Sequence, residues 1–217
     1  SGRCFLSRSM SSRSGNRGEC SQPCRLPYDL TDGKGRTYIK GKHLLSVCDL
    51  DLSERIGQML DAGVTSFKIE GRMKSPYYVA TVVNAYRQYM DKKATLEQCE
   101  EELECASHRP FASGFYFGEA KADPNNDGLY HQTCTFIGIV LEDSGDGRYL
   151  VEQRNRFDLG DTLEILSPSA IGNSFEVTSI RDLKGEERES AHLVQEKVSI
   201  FCPHKLSAGD ILRKRIV

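Results

Sequence analysis

Cys4, Cys20 and Cys24 stand in one polar stretch, SGRCFLSRSM followed a few residues later by NRGECSQPCRLPY. Thiolates at short spacing on irregular backbone suit a soft metal or an iron-sulfur cluster, because the loop that wraps the metal also brings backbone amides to the sulfurs. Three ligands complete neither a tetrahedral zinc site nor a cubane, and the candidates for a fourth are Cys48, His43 or a cysteine upstream of Ser1. The competing reading, ordinary thiols, fits poorly with such polar neighbours. Cys99 and Cys105 fall in a helical pattern and Cys134 and Cys202 in apolar runs, which marks these four as packing residues. The chain reads as cytosolic, so its eight cysteines are expected mostly as thiols or metal ligands rather than disulfides.

The elements that must position these groups follow from the pattern. With 217 residues, 38% hydrophobic and 28% charged, the chain has the composition of a soluble globular protein and room for two domains. The net charge of -2 announces no nucleic-acid partner, although residues 1 to 43 concentrate Arg3, Arg8, Arg13, Arg17, Arg25, Lys34, Arg36, Lys40 and Lys42 against Glu19, Asp29 and Asp32. This first stretch lacks apolar periodicity and reads as irregular. LLSVCDLDLSERIGQMLDAGV then predicts an amphipathic helix of about three turns, with Ser53 as N-cap and Gly63 as stop. TSFKIEGR predicts a short strand with Phe67 and Ile69 on one side. KSPYYVATVVNAYRQYMDKK predicts a helix capped by Ser75 and Pro76, with Tyr78, Val82, Ala85, Tyr86 and Tyr89 along one face.

Helix, strand and helix with short connections suggest part of a parallel α/β fold. ATLEQCEEELECAS adds an acidic helix, and residues 108–131 read as a linker. From Gln132 six alternating runs, TFIGIVLE, RYLVEQ, DTLEIL, SFEVTSI, KVSIFC and ILRKRIV, predict a compact β-barrel or sandwich. The fold class is therefore α/β plus all-β, with boundaries at 1–107, 108–131 and 132–217. No apolar run is long enough to span a membrane, so no membrane partner and a cytoplasmic location are expected. The non-methionine start reads as a cut into a longer protein.

Taken in order, SGRCFLS, NRGECSQPCR, FKIEGRMKSPYYVATVVNAYR, RPFASGFYFG and VEQRNRFDLGDTLEIL resemble the U32 peptidase family over nearly the whole chain, and KIEGRMKSPYY is the most specific of these stretches. Gly2, Cys4, Leu6 and Ser7 match the second half of the family signature. The resemblance implies a partial TIM-like (β/α) barrel segment followed by a small C-terminal β-barrel. It also implies descent among proteins first described as collagenase-like proteases. Several members of that group are oxygen-independent hydroxylases of tRNA or ribosomal RNA bases, or of ubiquinone precursors. It further implies a 4Fe-4S cluster on Cys4, Cys20 and Cys24, incomplete in this chain, and prephenate as hydroxyl donor. Where relatives commonly read Ser-Lys-Asp-Leu, this chain has Cys48 in the lysine position, a possible substitute ligand or a neutral replacement.

On that reading Glu70, Arg72 and Lys74 fall at the carboxy-terminal end of a barrel strand, where such enzymes build their sites. Arg72 and Lys74 can pair with the carboxylates of prephenate or an RNA phosphate, and Lys68 shares a side with Glu70. The alternative for Glu70 and Arg72 is a structural ion pair. Arg25, Arg13 and Arg17 place positive charge beside the cysteines, or simply face solvent. Arg109, with Phe111 and Phe115, can stack on a base or pack between domains. Arg154, Asn155 and Arg156, ahead of Asp158, Gly160 and Asp161, contact RNA or make a turn. Neither a His-Glu-x-x-His motif nor a Gly-x-Ser-x-Gly elbow occurs, and among the five histidines only His108 merits substitution. The expected function of the whole protein is RNA hydroxylation, with tRNA or rRNA as substrate. The alternatives are a collagenase-like peptidase acting on a peptide and a non-catalytic RNA-contact or assembly module. The isolated chain is expected to be inactive.

Overall fold

The computed structural model describes residues 4–71, 74–118, 127–168 and 171–216. In chain order the first half contains α1 (Leu6–Ser11), β1 (Tyr28–Thr31), β2 (Thr37–Lys42), β3 (Asp49–Leu50), α2 (Ile56–Asp61), α3 (Pro76–Met90), α4 (Leu96–Glu104) and β4 (Phe111–Ala112). The second half contains β5 (Cys134–Gly145), β6 (Arg148–Gln153), β7 (Phe157–Asp158), β8 (Thr162–Leu166), β9 (Ser174–Glu176), β10 (Ile180–Arg181), β11 (Glu187–Arg188), β12 (Ser190–Ala191), β13 (Lys197–Phe201) and β14 (Ile211–Arg215). Two compact units result. One takes the described residues of Ser1–Val64, Glu70–Lys74 and Ser107–His131, the other those of Thr65–Ile69, Ser75–Ala106 and Gln132–Val217.

In the first unit, the stretch expected to be irregular contains an antiparallel hairpin, β1 with β2. Its turn is organised by Asp32, whose carboxylate accepts the amides of Lys34 and Arg36 at 2.9 Å each and the Tyr38 hydroxyl at 3.2 Å. Apart from half-buried Tyr28, both strands are exposed on both faces, so no amphipathic alternation announced them. The helix expected from Ser53 is shorter: a 3₁₀ turn at Ser53–Arg55 leads into the six residues of α2. Ser53 does not cap; its amide and hydroxyl both donate to the Asp51 carboxylate at 3.0 Å. Gly63 ends the helical turn with φ 87°, as expected. β3 and β4 pair in parallel, Asp49 opposite Phe111 and Leu50 opposite Ala112, the only parallel pair among the described residues.

The strand expected at TSFKIEGR does not form. Phe67 and Ile69 are half-buried while Ser66, Lys68 and Glu70 are exposed, so the alternation is real, but the described residues offer this segment no strand partner. Alternation assigns faces; a ladder also needs a hydrogen-bonding neighbour.

In the second unit, Ser75 caps α3 by accepting the Tyr78 amide at 3.2 Å, with Pro76 in the first helical position. The buried stripe is rotated from the expected one: Tyr77, Thr81, Val82, Asn84, Ala85 and Gln88 are buried, whereas Tyr78, Tyr86 and Tyr89 are half-buried. Polar partners account for the rotation. The Tyr77 hydroxyl donates to the Cys105 carbonyl at 3.1 Å while its ring stacks on Phe136, and the Gln88 amide nitrogen donates to the Pro168 carbonyl at 2.8 Å. α4 begins in a reciprocal capping box between Thr95 and Gln98.

All six predicted strand runs appear, the fourth split into β9 and β10. Eight strands form one antiparallel sheet in the order β11-β10-β13-β6-β5-β14-β8-β9. Burial alternates along β6, β8 and β13, which turns Val151, Leu163, Val198 and Ile200 into one core with Phe157 and Phe175. The sheet curls without closing: among the described residues β11 and β9 are its free ends, so the expected barrel is a half-barrel. β7 pairs separately with β12. No helix among the described residues is long and apolar enough to cross a membrane.

Candidate functional site

Ser7 ties the cysteine segments together. It is buried, its hydroxyl donates to the Arg13 carbonyl at 2.8 Å, and its oxygen accepts the Ser21 amide at 2.9 Å, so the chain after Cys4 is anchored to the turn between Cys20 and Cys24. Ser11 and Ser21 close the same junction through their hydroxyls at 2.8 Å. Pro23–Arg25 forms a 3₁₀ turn, held from below by the Tyr28 hydroxyl donating to the Pro23 carbonyl at 2.7 Å. The Gln22 amide donates to the Cys20 sulfur at 3.3 Å, the kind of amide–sulfur bond that stabilises a metal-bound thiolate. Cys4 is exposed, Cys20 and Cys24 are half-buried, and all three are free thiols. Their sulfurs are not gathered within 4.8 Å of one another, which a single metal ion would require and a multi-iron cluster, holding its cysteines on separate irons, would not.

A second group forms where β3 meets β4. The parallel pairing sets the Arg109 amide against Asp49, whose Oδ2 accepts it at 3.1 Å, while Oδ1 accepts the guanidinium through Nε at 3.0 Å and Nη2 at 2.5 Å. Lys74 Nζ stands 3.6 Å from Oδ2 and donates to the Ser107 carbonyl at 2.6 Å. The Tyr130 ring then gathers two cations, the Arg25 guanidinium 4.5 Å from its centroid and Lys74 Nζ at 4.3 Å. Three cations thus surround one carboxylate, and Arg25 joins them to the thiols, since Cys24 and Cys20 both act on its charge.

The electrostatics follow. Burial pushes Arg25 below its ordinary value and neighbouring Arg109 adds to it. Burial likewise lowers Lys74, with Asp49 opposing and Arg25 and Arg109 assisting. Asp49 would rise on burial, but the hydrogen bonds and charge of Arg109, with the charge of Lys74, hold its carboxyl below the usual range. A group with a depressed folded pKa adds stability above its unfolded value, about 4, and loses it as pH falls through the folded value. Asp49→Asn is therefore expected to lower stability at pH 6 and to remove part of the loss that the native chain suffers between about pH 4 and pH 2. Urea titrations at each pH, followed by circular dichroism, read both; an unchanged acid dependence would discard Asp49 as the titrating group.

Of the residues singled out from the sequence, Lys74, Arg25, Arg109, Cys20 and Cys24 come together in this unit. Glu70 and Lys68 are exposed, and Arg72 falls outside the described residues. His43, considered as a ligand, uses Nδ1 to donate to the Arg25 carbonyl at 2.9 Å and so holds the cysteine loop. Gly128, with φ 72°, packs so closely on this imidazole that a side chain there would collide with it. His108 is buried and stacked on Phe111, with Nδ1 2.8 Å from the Arg109 carbonyl, a packing role. Arg109 is buried against Asp49 rather than offered to a base, whereas Phe115 is 81% exposed. Arg154, Asn155 and Arg156 are exposed on a bend between β6 and β7: Arg154 pairs with Glu152, Asn155 donates to the Phe136 carbonyl, and Arg156 pairs with Asp158. Asp49 and Tyr130 were missed, although Asp49 sits beside Cys48 in a stretch already compared with relatives. Nothing local marks Tyr130.

The sequence pattern of peptidase family U32 matches residues 1–126, and that of the U32 C-terminal domain matches residues 132–213. A Bacillus subtilis protein named tRNA hydroxylation protein P1 is 34% identical over 99% of this chain and 54% of its own length. An Escherichia coli protein named as a 23S rRNA 5-hydroxycytidine synthase is 52% identical over 42% of this chain and 14% of its own. A Porphyromonas gingivalis protein named collagenase is 35% identical over 55% of this chain and 35% of its own. The chain thus spans about half the length of the Bacillus relative. With both patterns matched in order and the Bacillus relative aligned from end to end of the chain, the protein belongs to peptidase family U32.

Proposed function

We propose that the whole protein hydroxylates a base of RNA, most naturally of tRNA, with a 4Fe-4S cluster for which Cys4, Cys20 and Cys24 supply three of the ligands and with prephenate as hydroxyl donor. The observation that carries the reading is the gathering of Arg25, Lys74 and Arg109 around Asp49 and Tyr130 beside two of the thiols. A dicarboxylate or an RNA phosphate is the chemical complement of such a group. The donor set fits a cluster: three thiols on short irregular backbone, one already accepting a backbone amide. When bound, the cluster supplies redox chemistry. The chain's own residues do the rest. Asp49 fixes the plane of Arg109 by holding Nε and Nη2 together, Arg25 and Lys74 share the Tyr130 face, and His43 positions the carbonyl of the residue after Cys24. Lys74, lowered by burial, is the group best placed to move a proton. On this reading β3 and β4 belong to a (β/α) barrel, and the isolated chain is inactive.

The names of relatives support RNA hydroxylation, and the collagenase relatives support a peptidase as second reading. Iron separates them, because peptide hydrolysis needs none. Full-length protein purified without oxygen is expected to contain about four irons and four sulfides per chain, with broad visible absorption. RNA from cells lacking the gene is expected to lack one hydroxylated nucleoside by mass spectrometry. A colourless, iron-free protein that cleaves gelatin would replace hydroxylation with proteolysis.

A further inference from the structure

Two of the cysteines assigned to packing meet. Cys105 follows the last turn of α4 and Cys134 opens β5, 29 positions later, yet their sulfurs stand 2.6 Å apart, inside any ordinary contact between unbonded sulfurs. Both side chains are fully buried within the second unit. The backbones are zipped beside them, the Thr133 amide donating to the Glu104 carbonyl at 2.9 Å. The Thr133 hydroxyl points at the Cys105 sulfur, 3.7 Å away. The hydrogen bond from Cys134, with the charge of Arg213 and the Thr133 hydroxyl assisting, lowers Cys105, while that same bond and burial raise Cys134.

Glu164 completes a trio of ligand-type atoms with the two sulfurs, which raises a metal as the alternative. Two observations speak against it. Both carboxylate oxygens of Glu164 are engaged, Oε2 by Arg213 at 3.0 Å and Oε1 by Arg215 at 2.5 Å. Two thiolates on one tetrahedral zinc, with bonds of about 2.3 Å, would lie about 3.8 Å apart. The observed approach is far closer.

We propose that Cys105 and Cys134 are a thiol–disulfide couple, whose oxidised form closes residues 106–133 into a covalent loop. The oxidant is a small-molecule disulfide. The Cys105 thiolate attacks one of its sulfurs and expels one thiolate; the Cys134 thiolate then attacks the Cys105 sulfur of the mixed disulfide and expels the second. Two protein thiols lose two protons and two electrons, and one small disulfide becomes two thiols. Burial of both sulfurs means that exchange requires α4 and β5 to part locally, so the bond, once formed, is shielded from reductant. This inference stands apart from the hydroxylation reading and does not depend on it.

The test is peptide mapping of the 217-residue chain equilibrated through urea unfolding and refolding in a series of oxidised and reduced glutathione buffers, then acid-quenched and alkylated. In wild type and in Cys99→Ala, which removes the other cysteine of the same tryptic peptide, a Cys105–Cys134 link is expected to rise from a trace to most chains as the buffer becomes oxidising. The oxidised chain should melt roughly 5–10 °C higher, a shift absent from Cys134→Ser. If the serine variant does not fold, the wild-type map alone decides. Absence of the link in buffers where Cys20 or Cys24 has become glutathionylated would overturn the proposal. So would a link to Cys99 instead, or one equivalent of zinc that leaves with Cys134→Ser.

Discussion

Full-length protein carrying Cys20→Ser and Cys24→Ser is expected to lose its iron, its sulfide and its visible absorption together, and to form none of the hydroxylated nucleoside. Serine preserves the size of each side chain, and both positions are half-buried in a loop held by Ser7, Tyr28 and His43 rather than by the thiols, so the fold should survive. The loss is chemical: a hydroxyl is a hard, weakly acidic donor where iron in a cluster wants thiolate. Removing an outer-shell partner alone costs about 10–100-fold in metal affinity, so removing two ligands should cost more than 100-fold. Arg25→Ala in the same protein should keep the iron and weaken use of the anionic donor. A Cys20/Cys24 double variant that retains four irons would place the ligands elsewhere and dismantle the proposed site.

The largest effect on stability is expected at Arg213, which is 1% exposed. Its guanidinium pairs bidentately with Glu102 of α4, 111 positions away, at 2.9 and 2.5 Å, and donates through Nε to Glu164 of β8 at 3.0 Å. Desolvation of the guanidinium is outweighed by Glu102, and Arg213 is held above its ordinary value. Arg213→Met leaves Glu102 buried without a partner and should cost about 3–5 kcal/mol in urea unfolding of the second unit. Glu102→Leu with Arg213→Met should recover most of that, because the charge and its counter-charge leave together while Arg215 still neutralises Glu164. A single-variant cost under about 1 kcal/mol would mean that water reaches the pair and that α4 is held to β14 by packing alone.

Much of this protein was legible residue by residue. The six strand runs, the Ser75–Pro76 start of α3 and the Gly63 stop all appear where local patterns put them, because alternation and capping are properties of short segments. The division of the cysteines by context also held: Cys99, Cys105, Cys134 and Cys202 are buried, whereas Cys4, Cys20, Cys24 and Cys48 are not. The β1–β2 hairpin turns through Asp32–Arg36 with Gly35 at φ 82°, turn formers visible in the sequence, but strands exposed on both faces carry no alternation to confirm it. The segment at Phe67 and Ile69 shows the converse, a strand pattern that joins no ladder among the described residues.

Tertiary structure alone decided the groups that carry the chemistry proposed here. Asp49 reaches Arg109 across 60 positions, Lys74 meets Tyr130, Glu102 meets Arg213, and Cys105 meets Cys134. Each of these contacts joins residues whose own neighbours in sequence say nothing of the partner. Periodicity fixes which face a side chain occupies; what stands opposite that face depends on loop closure and sheet order, which no short stretch of sequence encodes.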